Sequence, residues 1–372
     1  MRALIILGTR PEAIKMAPLV GVLRNEPGIE TKVCVTAQHR QMLDSMLDFF
    51  GICPDYDLDV MAPDQTLIGM TSRALAGLDI VLSKARPDLV LVQGDTSTTL
   101  AAALSAHYRQ IEVGHVEAGL RTGDLLAPWP EEANRRLTSV LAKYHFAPTS
   151  SARDNLLREG IAESKIHITG NTVIDALLDT AARMRDDVAQ RSELDSRFGF
   201  LDPQKRLVLV TGHRRENLDG GLDSVCHALR EIARRGDVEI IFPVHLNPRV
   251  RQSVHRLLGN VPGVFLIEPQ DYLPFVYLMD RATLLITDSG GIQEEAPALG
   301  KPVLVTRETT ERPEAVAAGT VRIIGTSQAV IVAEANRLLD DPIGYAAMAR
   351  AANPYGDGNA ARRIRDILVN AC

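Results

Sequence analysis

Positively charged side chains follow the first apolar segment of the chain. The segment Arg2–Leu7 ends in the run Gly8-Thr9-Arg10-Pro11-Glu12, and Lys15 follows one helical turn later. A glycine permits a tight turn, and the N-terminus of the following helix favours an anion. Arg10 and Lys15 add positive charge at the same place. The pattern predicts an anion-binding turn, and a helix start with two solvated cations is the alternative that these residues leave open.

Three carboxylates occupy positions at the ends of apolar segments or at helix starts. Asp95 directly follows the segment Leu89–Gln93, and Glu117 lies between a strand-like segment and a glycine, where nothing structural calls for a carboxylate. Glu131 opens a helical segment behind two prolines and the only tryptophan. Asp95 alone is more typical of a helix N-cap, and Glu131 fits an ordinary first helical turn. His115 is interpreted as a hydrogen-bonded structural histidine.

The second half of the chain offers groups suited to a nucleoside diphosphate. The run Thr211-Gly212-His213-Arg214 follows another apolar segment, and a histidine there can pair with a phosphate or move a proton. Ser289-Gly290-Gly291 at a helix start presents backbone N–H groups to a diphosphate without side-chain obstruction. Glu295, about one turn further, can accept two hydrogen bonds from a ribose diol. A capped helix explains Ser289 and one glycine but not the whole run.

Neither a metal site nor a cofactor is expected. His213 and His245 form neither an HxxxH nor an HExxH pattern, and the chain has no cysteine–histidine cluster. The turn at Gly8 matches neither a GxGxxG dinucleotide loop nor a Walker loop. A nucleophile elbow of the GxSxG type is also missing from the sequence. The candidate chemistry therefore rests on carboxylates, cations and backbone N–H groups.

Short apolar segments alternate with helical stretches through the first half of the chain. Strands are expected at Arg2–Leu7, Thr31–Val35, Leu89–Gln93 and Glu112–Val116, and helices at Met16–Asn25, Gln41–Phe50, Gln65–Ala85 and Thr98–His107. Strands that are apolar on both faces belong to parallel sheets covered by helices. The order predicts a doubly wound α/β domain, in which ligands bind beyond the C-terminal ends of the strands.

The same pattern restarts after a polar stretch from Thr180 to Lys205. Five further strands are expected, at Arg206–Val210, Glu239–Pro243, Val264–Ile267, Leu284–Thr287 and Val303–Thr306. We therefore expect two α/β domains, an N-terminal one over residues 1–170 and a C-terminal one over residues 171–358. Two such domains would face each other across a cleft, with the polar residues that follow each strand turned toward it.

Composition excludes several classes of protein. Of the 372 residues, 45% are hydrophobic and 24% are charged, which excludes a disordered or collagen-like chain. The net charge of -6 argues against binding of nucleic acid through the overall field. Apolar runs fall far short of the ~20 residues that span a bilayer, and Met1–Leu7 is interpreted as a buried strand. The four cysteines are not spaced as CxxC, which favours reduced thiols in a cytoplasmic protein.

From the residues alone, the chain is a two-domain α/β protein with an anion-binding second domain. Carboxylates and cations of the first domain are expected to face that anion site. The combination is typical of an enzyme that acts on a nucleotide sugar. A glycosyltransferase and an enzyme that remodels the sugar both remain open at this point.

The motifs around these residues resemble those of one family. They are Gly8–Lys15, Gly94–Thr96, Gly114–Arg121, Pro130–Arg135, Thr211–Glu216, Asp288–Glu295 and Thr309–Glu314. With these motifs, the chain resembles the bacterial non-hydrolysing UDP-N-acetylglucosamine 2-epimerases from Met1 to about Asp357. The resemblance implies a glycosyltransferase-B-like fold of two Rossmann-like domains that face a central cleft. It also implies that a last helix, at about 359–372, packs back on the first domain.

The resemblance implies reversible conversion of UDP-GlcNAc to UDP-ManNAc, which feeds the synthesis of cell-surface polysaccharides. UDP leaves C1 while C2 loses its proton, and the resulting 2-acetamidoglucal is reprotonated on its other face before UDP adds back. A homodimer is expected, and neither nucleic acid nor a membrane is expected as a partner. Activation by a second substrate molecule is also implied, because two residues match the motif for that site, Gln38 and Gln41.

The resemblance further implies a role for each matching residue. The C2 proton transfers fall to an acidic trio, Asp95, Glu117 and Glu131. His213 is expected to protonate or stabilise the departing diphosphate, while Arg10 and Lys15 hold the diphosphate and the glucal. The residues expected to bind UDP are Ser289, Gly290 and Gly291 for the phosphates, Glu295 for the ribose, Gln270 and Phe275 for the uracil, and Arg312 as a further contact.

Other activities fit the same fold. A UDP-sugar-dependent glycosyltransferase would need an acceptor for the sugar. A hydrolysing epimerase would release free ManNAc together with UDP. A nucleotide-sugar sensor without catalytic activity has no need of three carboxylates in the sugar pocket, so the residues argue against it.

Overall fold

Parallel β-sheets, one in each of two units, carry the fold of the chain. The computed structural model describes residues 1–36, 40–61, 65–212 and 220–371. Unit 1 comprises Met1–Ala176 and Tyr355–Cys372, and unit 2 comprises Leu177–Pro354. The chain therefore passes from unit 1 to unit 2 after Ala176 and returns at Tyr355.

The sheet of unit 1 is doubly wound. Its strands are β1 Arg2–Leu7, β2 Glu30–Val35, β3 Tyr56–Asp57, β4 Leu89–Gln93, β5 Glu112–Val116, β6 Tyr144–Ala147 and β7 Ile166–Ile168. The strands are parallel and lie in the order β3-β2-β1-β4-β5-β6-β7. The order reverses between β1 and β4. The carboxyl ends of these two strands therefore form the switch point at which doubly wound folds bind ligands.

The sheet of unit 2 repeats this arrangement. Its strands are β8 Arg206–Thr211, β9 Val238–Pro243, β10 Val264–Ile267, β11 Leu284–Thr287, β12 Val303–Val305 and β13 Val321–Ile323. They are parallel and lie in the order β10-β9-β8-β11-β12-β13, with the switch point between β8 and β11. The predicted class, doubly wound α/β, is thus confirmed in both units.

Helices connect successive strands and cover the sheets. In chain order they are α1 Arg10–Arg24, α2 Arg40–Phe49, α3 Leu67–Ala85, α4 Ser97–Tyr108, α5 Glu131–Leu141, α6 Ser150–Arg158, α7 Thr172–Asp186, α8 Val188–Arg197, α9 Gly221–Ala233, α10 Pro248–Leu258, α11 Tyr272–Arg281, α12 Gly290–Glu295, α13 Pro313–Ala317, α14 Gln328–Asp340, α15 Pro342–Ala349 and α16 Ala360–Asn370. Helix α7 carries the chain from unit 1 to unit 2, and α16 packs on α1 in unit 1. Of the helices in the described ranges, none has the length and apolar character needed to cross a membrane.

The first helix begins earlier than the sequence predicts. A helix is expected from Met16 to Asn25, whereas α1 begins at Arg10 and is capped by the Thr9 side chain. Pro11 fits the first turn, because the N–H groups there have no acceptor within the helix. The two prolines of this segment interrupt the helical pattern in the sequence, which hides the true start. The earlier start places the Arg10 cation at the helix N-terminus.

Apolar side chains bury both faces of each sheet. In unit 1, Leu4 and Val90 of the strands pack in one cluster with Leu78 of α3. In unit 2, Ile240 of β9 packs in a corresponding cluster with Leu229 of α9. Full burial of each such side chain contributes about 1.5–3 kcal/mol. These rigid sheets hold the loops at their carboxyl ends, where the candidate site residues lie.

Candidate active site

The loops after β1 and β4 meet on one carboxylate at the switch point of unit 1. Glu12, in the first turn of α1, accepts hydrogen bonds from Gly8 N at 3.0 Å and Thr9 Oγ1 at 2.8 Å. It also accepts from Thr96 Oγ1 at 2.8 Å and from Thr99 Oγ1 at 3.2 Å. Because Thr96 caps α4, Glu12 ties two helix N-termini together. Sequence reasoning missed this role, because Glu12 looks like an ordinary first-turn acid.

Glu117 is enclosed by polar side chains from three other segments of unit 1. Both of its carboxylate oxygens lie 2.7 Å from Lys15 Nζ. Asn171 Nδ2 donates to Oε1 at 2.9 Å, and Gln93 Nε2 donates to Oε2. The Glu117 side chain is only 5% exposed. The structure therefore brings together two of the predicted site residues, Lys15 and Glu117, and adds two amides that the sequence did not single out.

The backbone of Glu117 adopts a conformation that side-chain-bearing residues rarely occupy. Its φ is 61°, in the left-handed region, which costs of order 1–3 kcal/mol for a residue other than glycine. The turn continues through Gly119, where a Cβ atom would lie 2.2 Å from Ala152 O. Such a conformation persists only where the surroundings determine it, and the partners of the Glu117 side chain supply that constraint.

Asp95 lies close enough to Glu117 for the charges of the two carboxylates to interact. Its carboxylate forms an ion pair with Arg135 of α5, and its carbonyl accepts a hydrogen bond from Asn134 Nδ2 at 2.9 Å. Burial raises the pKa of the Asp95 carboxyl, the Arg135 charge lowers it, and the Glu117 charge raises it. The net direction is upward, so Asp95 holds a proton more readily than an aspartate in water.

Adjacent glutamates at the start of α5 have different environments. Glu132 is fully buried and accepts hydrogen bonds from the N–H groups of Thr122 at 3.1 Å and Gly123 at 3.2 Å. It also lies 3.4 Å from Arg135, which connects α5 to Asp95. Glu131 is half-buried and has no hydrogen bond or ion pair with the residues that the structure describes. Glu132 therefore holds the loop, and Glu131 is available for a ligand.

Two further predicted residues of unit 1, Arg10 and His115, differ in their contacts. The Arg10 side chain, at the first position of α1, is half-buried and pairs with no residue in the described part of the chain. It is therefore available to an anion. His115 is fully buried and donates from Nε2 to Gly94 O at 2.7 Å. Burial lowers the pKa of His115 to about 3, so it is neutral, and its interpretation as a structural histidine is confirmed.

In unit 2, the switch point carries the predicted glycine-rich helix start. Thr287 at the end of β11 accepts a hydrogen bond from Ser289 N at 2.9 Å, and α12 begins at Gly290. Gln293 is fully buried and donates from Nε2 to Ser289 O at 3.1 Å. Glu295 is the last residue of α12 and is half-buried. Gln293 holds this loop from behind, a role that the sequence did not reveal.

The remaining predicted ligand contacts of unit 2 lie on neighbouring loops. Arg312 donates from Nε to the buried carboxylate of Glu294. Gln270, before α11, accepts a hydrogen bond from Arg197 Nη2 at 2.7 Å. Phe275 is half-buried on α11. Each of these residues lies at or after the carboxyl end of a strand, as expected for contacts to a nucleotide.

Three predicted residues remain without a structural description. His213 and Gln38 lie outside the described residues, and the side chain of Gln41 is likewise not described. Within the described ranges, no group of three or more histidine, cysteine, aspartate or glutamate side chains is arranged to hold a metal ion.

Comparisons with known proteins agree with the motifs. The sequence model of the family UDP-N-acetylglucosamine 2-epimerase matches residues 22–369. The chain is 60% identical to the UDP-N-acetylglucosamine 2-epimerase of Escherichia coli K12, over 100% of this chain and 99% of that protein. It is also similar to the crystal structure of the UDP-GlcNAc 2-epimerase from Neisseria meningitidis bound to UDP-GlcNAc, with a TM-score of 0.90, 50% identity and full coverage of both chains.

A more distant relative has the same architecture. The crystal structure of the Methanocaldococcus jannaschii UDP-GlcNAc 2-epimerase, in complex with UDP-GlcNAc and UDP, matches with a TM-score of 0.80 and 36% identity over both full chains. The likeness thus extends over both units. The chain belongs to the family of UDP-N-acetylglucosamine 2-epimerases.

Proposed function

We propose that the protein interconverts UDP-GlcNAc and UDP-ManNAc by inverting C2 of the sugar, without releasing free sugar. The observation that carries the proposal is the full-length likeness to enzymes named for 2-epimerisation. The second support is the site in unit 1, where the ion pairs of Glu117 with Lys15 and of Asp95 with Arg135 adjoin.

The chemistry requires several charged groups because the C2 proton is hard to remove. C2 is not next to a carbonyl group, so no enolate can form. The route is an elimination, in which a base takes the C2 proton, the bond from C1 to the diphosphate oxygen breaks, and UDP leaves 2-acetamidoglucal. Protonation of C2 from the other face and addition of UDP at C1 then give the epimer. Each face of C2 needs its own proton-handling group, or one group with a relay.

Asp95, Glu117 and Glu131 supply these groups. The Lys15 ammonium and two amides stabilise the charged form of Glu117. Burial instead raises the pKa of the Asp95 carboxyl. Two carboxyl groups in such different environments are suited to act as base and acid within one turnover. Glu131 has no partner in the described part of unit 1, which leaves its carboxylate free to act on the substrate.

The departing diphosphate needs positive charge. Arg10 stands unpaired among the described residues at the N-terminus of α1, where the helix dipole also favours an anion. Lys15 lies on the same helix. His213, by the family motif, protonates or stabilises the diphosphate. Charges fixed before the reaction in this way stabilise the transition state more than flexible ones do.

Unit 2 is assigned the binding of UDP. Ser289, Gly290 and Gly291 would hold the phosphates at the start of α12, and Glu295 would accept hydrogen bonds from the ribose. Gln270 and Phe275 would line the uracil pocket. Arg312 would contact the ligand from its position on Glu294, which fixes its guanidinium. The doubly wound order of this sheet, with the glycines at its switch point, supports the assignment.

A homodimer is also proposed. Three helices of unit 1 that pack side by side, α3, α4 and α5, expose large apolar side chains. They are Ile80, Tyr108, Leu137 and Val140, with exposed fractions of 56%, 75%, 54% and 76%. We call these four residues the apolar surface of unit 1. Side chains of this kind on adjacent helices are typical of a protein interface.

We also propose that the enzyme is activated by its own substrate. Activation by a second substrate molecule rests on the motif at Gln38 and Gln41 alone. A sigmoidal dependence of the rate on UDP-GlcNAc, abolished in Gln41→Ala, is the expected result, and hyperbolic kinetics in the wild-type enzyme would contradict it.

A cytoplasmic location fits the free thiols Cys34, Cys53 and Cys226.

Product analysis tests the activity against its alternatives. UDP-GlcNAc incubated with the purified protein and no acceptor is expected to give UDP-ManNAc, separable by chromatography. Free ManNAc and UDP in equal amounts would instead show a hydrolysing epimerase. Unchanged UDP-GlcNAc, with UDP still bound by the protein, would favour a glycosyltransferase.

A further inference from the structure

Both passages of the chain between the units meet at one residue of unit 1. Asn171 immediately precedes α7, the helix that carries the chain out of unit 1. Its backbone N–H donates to the carbonyl oxygen of Tyr355, the residue at which the chain returns, at 2.7 Å. At Gly170, φ is 89°, and a Cβ atom would lie 3.3 Å from both Tyr355 O and Gly356 Cα. The outgoing and returning segments are therefore in close contact within unit 1.

We call the contact of Gly170 and Asn171 with Tyr355 and Gly356 the chain crossing. The side chain of Asn171 connects the chain crossing to Glu117. Its Nδ2 donates to Glu117 Oε1 at 2.9 Å, and its Oδ1 accepts from Val173 N at 3.1 Å, so the amide also caps α7. Asn171 is 2% exposed. A buried amide with both ends bonded has a fixed orientation. The carboxylate of Glu117 is therefore held on one side by a group that the crossing segments position.

We propose that Asn171 is a positioning residue that fixes the Glu117 carboxylate relative to the two chain passages. The inference rests on the proposed function, in which Glu117 transfers the C2 proton. The other titratable groups that act on Glu117 from the described elements are Lys15 of α1, Asp95 after β4 and neutral His115 of β5. Asn171 contributes no charge to this set, and supplies instead a direction and a hydrogen bond to the charged form of Glu117.

The substitution Asn171→Asp isolates this contribution. Aspartate has the same shape and still caps α7 from one oxygen, but it presents an oxygen to Glu117 where the amide N–H₂ stood. We expect kcat to fall roughly 10–100-fold, as for loss of a hydrogen bond to a charged group, while KM for UDP-GlcNAc changes little. The acid limb of the kcat–pH profile should move to higher pH, because a facing carboxylate disfavours the charged form of Glu117.

The matched control is Asn25→Asp. Asn25 also donates from Nδ2 to a group within unit 1, the carbonyl oxygen of Gly21 at 2.9 Å, and not to a carboxylate. It should leave the pH profile in place. If Asn171→Asp does not fold, Asn171→Ser replaces it, since serine also caps a helix. A wild-type pH profile and a wild-type kcat in the folded Asn171 variant would overturn the proposal.

The link to the chain crossing is tested by two glycines. Gly170→Ala forces a Cβ atom against Tyr355 and Gly356, whereas Gly160→Ala strains a similar positive φ of 83° with no atom within 4 Å. Gly170→Ala should shift the pH profile in the same direction as Asn171→Asp, and Gly160→Ala should not. The effects of Gly170→Ala and Asn171→Asp on the pH profile should combine non-additively in the double variant, because both act through the contact of Asn171 with Glu117.

The outcomes separate this inference from the proposed function. If the wild-type protein makes no UDP-ManNAc, the proposed function fails first. If it makes UDP-ManNAc and Gly170→Ala behaves as Gly160→Ala does, the coupling between Glu117 and the crossing is overturned.

Discussion

Two adjacent glutamates, Glu131 and Glu132, have different roles in the site. Both residues lie in the first turn of α5. Glu132 is buried and accepts hydrogen bonds from two backbone N–H groups, whereas Glu131 has no partner among the described residues. The sequence shows two acids at a helix start and cannot rank them, because the loop that Glu132 holds is defined only by the folded backbone. The choice of Glu131 for the site rested on the family motif.

Single substitutions test the proton-transfer groups. Asp95→Asn and Glu117→Gln each keep the shape of the side chain and remove its ability to exchange a proton. Each should lower turnover by about 10²–10⁴-fold, the usual contribution of general acid–base catalysis, and leave UDP affinity unchanged. Steady-state kinetics and calorimetry with UDP measure the two quantities. Asp154→Asn, at an exposed aspartate of α6, is the control, and normal turnover in either site variant would remove that residue from the proton-transfer role.

Glu295 tests the assignment of UDP binding to unit 2. Glu295→Ala removes the carboxylate assigned to the ribose and should weaken UDP binding by roughly 10–100-fold, as for lost hydrogen bonds to a charged group. Glu193→Ala, at an exposed position of α8, is the matched control. Unchanged UDP affinity in Glu295→Ala, measured by titration calorimetry, would contradict the ribose assignment.

At the scale of elements, the site depends on helix N-termini gathered around buried carboxylates. Glu12 is 1% exposed and joins the starts of α1 and α4. The sequence predicted both helices and the turn at Gly8, but gave a different reason for the glycine. Its φ is not in the left-handed region, and the requirement is space, since a Cβ atom would lie 2.3 Å from Thr36 Oγ1. Contacts between segments so far apart in sequence cannot be derived from local patterns.

Glu12 gives the fold a specific pH dependence. Burial raises the pKa of its carboxyl in the folded state above the ordinary value of about 4.5, against the effect of its hydrogen bonds. The folded protein therefore binds this proton more tightly than the unfolded chain. Its contribution is most favourable below pH 4.5 and is lost as the pH rises through the raised pKa. Urea unfolding at several pH values should show this loss in the wild type and not in Glu12→Gln.

A control and a contrary result define that experiment. Glu163→Gln, at an exposed glutamate, should keep the pH dependence of the wild type. If Glu12→Gln shows the same change of unfolding free energy with pH as the wild type, Glu12 does not titrate with a raised pKa in the folded protein.

At the scale of the whole molecule, alternation of strands and helices predicted two doubly wound units, and both sheets confirm it. The domain boundary at 170/171 stays a prediction. In the structure, unit 1 gives way to unit 2 between Ala176 and Leu177. The difference arises because α7 continues through the division without a break, so no turn residue marks it. The roles of Gln93 and Asn171 could not be predicted from the sequence for a related reason. Both side chains donate hydrogen bonds to Glu117, which is distant from them along the chain.

The apolar surface of unit 1 predicts the assembly state. The wild-type protein should be a dimer by light scattering, and Val140→Glu should shift it toward monomer by placing a charge in the interface. Val188→Glu is the matched control, because Val188 is 79% exposed on α8 and lies outside that surface. A wild-type monomer at micromolar concentration, or equal behaviour of both variants, would contradict the proposed interface.

In the proposed reaction, C2 is inverted through proton exchange while UDP is released and recaptured. Proton NMR of UDP-GlcNAc with the purified protein in D2O, without an acceptor, tests this reaction. UDP-ManNAc should appear and deuterium should enter C2 of both epimers, with the sugar attached to UDP at equilibrium. UDP-ManNAc that keeps its original C2 proton, or free ManNAc in place of the UDP-sugar, would contradict it.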